Sequence, residues 1–335
     1  MQLKYALFFL LCTISVSSLY GQDVGTKYWE NVLKARNFRS AGRIDSTYLY
    51  YLKAFQYGLE DEEFINAFYG ALRNKKFPEA HELFLLGCKN NVFSGVREIH
   101  KLKEIVSETE LKSIGITSME YKRLINRGAN RPKSKSFKHL DRELKRMVFM
   151  DQLARKTRVN TINIDRRNSN YLTSYIESHG VPSYDSLGYT GHFNISLLLL
   201  HFGPSSLESI YPFIQESTKN GNSYLNECFA YQVSRASEGE RLQVTYDSVG
   251  NLHFINADSS LLINGQYFYT VLGETQMYLP SKGRSIVYPF DPTYSLKQIS
   301  EFREALCLDG PIEYVARLNA EMLTAEEVYN LWFPK

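Results

Sequence analysis

A chain of 335 residues with 44% hydrophobic and 22% charged residues has the composition of a globular protein and the length for two domains. Its formal net charge of +3, which falls to +2 without Lys4, argues against nucleic acid as a bulk electrostatic partner. No apolar run reaches the roughly 20 residues that a bilayer span needs, so no transmembrane segment is expected.

Residues 1–21 read as a secretory signal peptide. Lys4 opens a short basic region, Tyr5 to Val16 is mostly apolar, and Ser17-Ser18-Leu19-Tyr20-Gly21 supplies small residues ahead of a cut before Gln22. The mature protein is then expected to be exported, periplasmic or extracellular. A lipoprotein anchor at Cys12 fits poorly, because Leu11 is not small and the apolar region would be cut in half. Processing leaves Cys88, Cys228 and Cys307, which permit one bridge at most and no disulfide scaffold. All three read as structural thiols.

Residues 22–127 form a helical-hairpin module, with apolar spacings of three and four in Tyr48-Tyr51-Leu52-Phe55 and Phe64-Ala67-Phe68-Ala71-Leu72. Ile44, Thr47, Tyr51 and Ala54 return 33 residues later as Phe77, Ala80, Phe84 and Gly87. This resembles the second half of a tetratricopeptide repeat, where small residues let paired helices approach. Two antiparallel helical hairpins account for the same residues. Thr117 to Glu120 has capping-box spacing and predicts another helix start.

Residues 128–136, with Pro132, two serines and several basic residues, read as a linker. Lys122 to Arg158 is basic throughout, against only Asp141, Glu143 and Asp151, and reads as a solvated linker and helix face. From 137 to 335 helices are expected at about 138–157, 166–179, 192–202, 206–219 and 223–236. A β insert at about 242–290 follows, with strands at 242–247 and 252–256 across Val249-Gly250-Asn251 and a hairpin on Asn264-Gly265. Strands continue at Gln276 to Leu279 and Ser285 to Tyr288, and helix returns after the capping-box spacings at Ser295 and Thr324. The expected fold class is mainly α: N-terminal helical hairpins plus an α+β domain of helices with a small antiparallel sheet. The helix around Arg303 to Leu318 is expected to share the core of the domain's first helices, with the strands projecting between them.

Asp151 and Arg155 lie four apart on one helix and are expected to pair. Asp165, Asn168 and Leu172 share another face. His201 ends an apolar helix terminated by Gly203-Pro204, where the helix dipole favours the imidazolium. Arg235 borders an apolar helix face and either clamps an anion or braces the next strand. The candidate catalytic residues are thus His201, Arg235, Asp151 and Asp165, and the candidate binding residues Arg155, Asn168, Gln243 and Tyr246. There is no H-E-x-x-H, G-x-S-x-G, phosphate-binding glycine loop or Cys-x-x-Cys, and His192 and His201 fall on opposite faces of one helix. No metal and no cofactor is expected.

In this order the residues resemble the bacterial domain of unknown function 6624 family, over about residues 140–318. Its D-Q-x-x-R start is present as Asp151-Gln152-Leu-Ala-Arg155, and its D-x-x-N-x-x-W-L helix as Asp165-Arg-Arg-Asn168-Ser-Asn-Tyr171-Leu172. Gly180-Val-Pro182, His201, Ala230-Tyr231 to Arg235, Gln243 and Arg303 to Tyr314 follow in the family's sequence. Ser234 stands where the family has Asp, and Gln243-Val-Thr-Tyr246-Asp247 replaces its Gln-Tyr-Gly segment. The resemblance implies a domain and a set of positions but no reaction. The favoured function is binding, with protein or peptide recognition by the N-terminal helices and a polar pocket in the second domain. The alternative is an enzyme using His201 as acid or base and Arg235 as anion clamp, and a structural envelope component is a third class.

Overall fold

The computed structural model describes residues 24–89, 107–115, 117, 119, 135–159, 161–272, 276–279, 284–318 and 320–332. The expected signal peptide, the linker up to Ser134 and the capping partners Ser118 and Glu120 lie outside the described residues, as does the Cys88 side chain. The fold is mainly helical with a few small sheets. Two compact units divide the chain, one of Lys27–Ser134 and one built mainly on Lys135–Lys335.

The first unit holds α1 (Val24–Ser40) from Lys27 onward, α2 (Ile44–Ala54), α3 (Asp61–Arg73), α4 (Phe77–Lys89) and the short α5 (Glu108–Ser113). Thr47, Tyr51 and Ala54 of α2 and Ala80, Phe84 and Gly87 of α4, the residues related by the 33-residue offset, are buried where α2, α3 and α4 pack together. One carboxylate lies inside this aromatic core. Glu63 is forked by Arg36 at 2.8 and 3.2 Å and accepts the Tyr51 hydroxyl at 2.6 Å. Burial alone would push its pKa up, but the charge and hydrogen bonds of Arg36, with Tyr51, hold it below the usual carboxylate range. The capping box that opens α5, Ser107 with Glu110, was not among the predicted helix starts.

The second unit begins with α6 (Lys135–Thr157), α7 (Thr161–His179), α8 (Tyr184–Leu199), α9 (Pro204–Lys219) and α10 (Asn226–Glu240). Helix α6 packs on α7 and α8, α7 on α9, and α9 and α8 on α10. Helix α8 starts eight residues earlier than its apolar periodicity predicts, because Ser183 caps a first turn before Gly188 breaks the helix at φ 75°. Leu144, Leu172, Ile195, Leu207, Ile214 and Phe229 anchor the shared core.

The strands β1 (Leu242–Tyr246) and β2 (Leu252–Asn256) pair antiparallel and do not project. They lie on α10 and α9 and place Val244 and Leu252 in the same core, which corrects the expected arrangement. The Asn264-Gly265 turn forms, both residues taking the positive φ that a two-residue hairpin needs, between β3 (Leu262–Ile263) and β4 (Gln266–Tyr267). Then β5 (Gln276–Leu279) pairs antiparallel with β6 (Arg284–Val287), followed by α11 (Leu296–Glu304) and α12 (Pro311–Leu318). A short β7 (Glu321–Met322) runs parallel to β6, so the sheets are not purely antiparallel. The last helix, α13 (Ala325–Trp332), supplies Ala325 and Val328 to a second small cluster with Phe268, Ile286, Tyr288 and Leu323.

Helix α11 and the loop after it do join the main core, through Leu306, Leu308 and a hydrogen bond from Asn226 to the Leu306 carbonyl. Their junction is held by charge. Arg303, fully buried, donates to the Asp309 carbonyl and, at 2.9 Å, to its carboxylate, while Arg317 donates to the same carboxylate at 2.8 Å. Both guanidinium groups lie over the Tyr314 ring. The loop reverses at Cys307, whose φ of 55° is the left-handed position that closes a helix end.

Candidate functional site

Helix α6 turns Leu140, Leu144, Met147 and Ala154 inward, and Asp151 falls on that same face. Its carboxylate is therefore buried at 2% exposure and needs a partner. Arg155, one turn on, forks onto it at 2.8 and 3.2 Å as the spacing predicts. Gln152 adds a hydrogen bond at 2.9 Å. The same guanidinium also reaches Asp165 on α7 at 2.7 Å, a link between helices that no sequence spacing reveals. Burial opposes the Arg155 charge, but its bonds to Asp151 and the field of Asp165 raise its pKa.

His201 lies one step beyond the expected place. Helix α8 ends at Leu199, and His201 occupies the turn before Gly203 and Pro204 open α9. That turn is fastened from within: Phe202 is buried, and Gln232 of α10 donates to its carbonyl at 2.8 Å. The imidazole Nε2 stands 3.9 Å from Asp151 Oδ2, near enough to feel the charge but outside hydrogen-bond reach. The balance of charges and burial runs against the expected imidazolium. Burial and the Arg155 charge lower the His201 pKa, with a further push from Arg235, against the pull of Asp151 and Asp165.

Arg235 stands on α10, three residues after Gln232. It is exposed, rests over the Tyr231 ring at 5.7 Å, and makes no ion pair or hydrogen bond among the described residues. It therefore braces no strand, contrary to that expectation. The structure thus joins Asp151, Arg155 and Asp165 by ion pairs, with His201 3.9 Å from Asp151, while Arg235 bears on this cluster only through the effect of its charge on His201. Asn168, one turn after Asp165, is 3% exposed, and neither its amide oxygen nor its nitrogen has a hydrogen-bond partner among the described residues.

Gln243 and Tyr246 belong elsewhere. Gln243 donates to Asp291 at 3.0 Å and to Thr293 at 2.9 Å, beside the Tyr267 hydroxyl on the same buried carboxylate. Tyr246 stacks on Phe302 with its hydroxyl buried, which raises its pKa. Among the described residues no hydrogen bond or ion pair joins either one to Asp151, Arg155 or Asp165. The residues that depart from the resemblance are occupied too. Ser234 is buried against Thr270 at 3.0 Å. Asp247 accepts from Asn251 and Val249 to close the β1–β2 turn, and those bonds lower its pKa to about 2.

Reasoning from the sequence missed Gln232, a polar residue inside the apolar face of Phe229, Val233 and Ala236, where only a fixed hydrogen bond makes burial tolerable. It also missed the bond between Ser169 of α7 and Ser206 of α9, at 2.7 Å. A separate cavity lined by Pro212, Gln215, Glu216, Lys219 and Asn220 lies towards the far end of α9 from His201. No family model matches the chain, and no match was found among curated proteins or solved structures.

Proposed function

We propose that this chain is an exported binding protein whose second unit holds a small anionic or polar ligand at His201 and Arg235. The carrying observation is the charge of Arg235, exposed and without an ion pair among the described residues, acting on an imidazole whose pKa burial and the Arg155 charge lower. A guanidinium in that state is suited to a carboxylate or phosphate. The kinship of residues 140–318 with the domain of unknown function 6624 family is part of this proposal and rests on the order of the residues quoted above. In the N-terminal helices, the exposed Leu49, Tyr57 and Leu85 support a role in protein or peptide recognition.

Catalysis is the second reading. A neutral imidazole is the form a general base needs, and the lowered His201 pKa favours it. Binding is preferred because Asp151, the carboxylate that would orient His201, is taken by Arg155 and Gln152. Calorimetric titration with a panel of small carboxylates and phosphate esters tests the proposal. A hit lost in Arg235→Ala and weakened in His201→Ala, with the melting temperature of Arg235→Ala unchanged, is the expected result. Ligands that bind Arg235→Ala and the parent protein equally would refute it.

A further inference from the structure

The proposed binding site leaves unused the outward face of α6, about half a helical turn away from Asp151 and Arg155. Residues 135–179, which form α6, α7 and their corner, carry ten basic against five acidic side chains. The excess of five exceeds the whole chain's net charge of +3, so the rest of the protein is slightly acidic. Along the outward face run Lys138, Arg142, Lys145, Arg146 and Lys156, with Arg158 and Arg166 at the corner, all exposed. Some are partly neutralised, Lys145 by Asp141 and Arg146 by Glu143. Lys138, Lys156, Arg158 and Arg166 have no ion pair among the described residues.

Among these cations stand four apolar side chains in water: Phe149 at 65% exposure, Leu153 at 43%, Val159 at 62% and Ile162 at 73%. Phe149 and Leu153 are four apart on one helix face. Val159 is folded back beside the end of α6, because Arg158 takes the left-handed conformation and the Val159 amide bonds to the Ala154 carbonyl at 3.1 Å. Ile162 opens the next helix across that corner. The described residues of the α6–α7 corner present these groups to solvent.

We infer that the α6–α7 corner docks on an anionic lipid bilayer, with Phe149, Leu153, Val159 and Ile162 entering the headgroup boundary and the flanking lysines and arginines meeting acidic headgroups. Charge complementarity selects the lipid: a purely acidic peptide would satisfy the cations but leave four apolar side chains in water, whereas an interface accepts both. Binding at this face needs no change in the His201 site.

The chain beginning at Gln22 is mixed with vesicles of phosphatidylcholine alone or with phosphatidylglycerol and sedimented. The expected result is binding to the anionic vesicles only, weakening as salt is raised. Lys156→Glu and Arg158→Glu should each reduce it about fivefold or more, since one cation near an acidic surface contributes that much. The pair Phe149→Ser and Ile162→Ser should reduce it about tenfold with an unchanged melting temperature, both side chains being exposed. Failure to bind anionic vesicles overturns the inference. So does binding that the serine pair leaves intact, which would mark a partner recognised by charge alone.

Discussion

Two charge clusters in the second unit use the same residue types to opposite ends. At the α11–α12 junction two arginines share one carboxylate, Asp309, with Arg303 and Asp309 buried and Arg317 half-buried over them. At the α6–α7 end two carboxylates share one arginine, Arg155, and the cluster stays half open with His201 and Arg235 at its edge. The comparison separates charge that holds the chain together from charge left available to something else. A closed cluster punishes the loss of a member through stability, and an open one through binding.

The largest expected effect therefore belongs to the closed cluster. Asp309→Ala strips Arg303 and Arg317 of the carboxylate they share and should cost about 3–5 kcal/mol, the range for breaking a buried ion pair. Urea denaturation measures it. A loss under about 1 kcal/mol would mean that Tyr314 and the Asp309 carbonyl suffice to hold the junction.

Acid should act next. His192 is buried on α8 and bonded through Nε2 to the Pro182 carbonyl, and burial lowers its pKa from 6.5 to about 4. A histidine whose folded pKa is depressed takes up its proton more readily when unfolded. The stability it allows is thus fully present above about pH 6.5 and falls as pH drops towards 4, where the loss reaches about 3 kcal/mol. His201 adds to the same slope with the same sign. A pH series of melting temperatures on His192→Asn, showing the acid-side slope undiminished, would assign the loss to other groups.

The open cluster divides what the sequence shows from what it hides. The pairing of Asp151 with Arg155 was legible because four residues on a helix fix the geometry. So were the Asn264-Gly265 hairpin and the capping boxes at Ser295 and Thr324, each decided within a few residues of chain. Asp165 joining Arg155 was not, since it depends on how α6 and α7 cross. The direction of the His201 shift was hidden for the same reason: the dipole argument is local, whereas the burial and the Arg155 charge that lower its pKa depend on how helices pack. The Arg303 and Asp309 cluster was hidden although its members are six apart, because the turn that brings them together needs a left-handed Cys307. Cysteine gives no such signal, where glycine would.

A sharper test of the open cluster is Arg155→Met. It leaves the buried Asp151 with Gln152 alone and should cost roughly 1–2 kcal/mol, discounted for the partial exposure of Arg155. It also removes the nearest positive charge acting on His201 and frees two carboxylates beside it, so the imidazole pKa should rise. Proton NMR titration of the His201 ring reads this directly. An unmoved or lower value would show that burial alone sets the charge state and that the cluster does not tune it.

The smallest effect is the most telling. Arg235→Ala removes an exposed side chain with no ion pair or hydrogen bond among the described residues, which lies over the Tyr231 ring. Its cost should stay within about 0.5 kcal/mol, the usual range for a surface substitution away from structural features. It should also raise the His201 pKa slightly, because the Arg235 charge is among those lowering it. Set beside Asp309→Ala in the same urea series, the variant asks whether the two clusters differ in kind. A loss of 2 kcal/mol or more would make Arg235 a structural residue like Arg303 and remove the surplus charge on which a ligand at His201 depends.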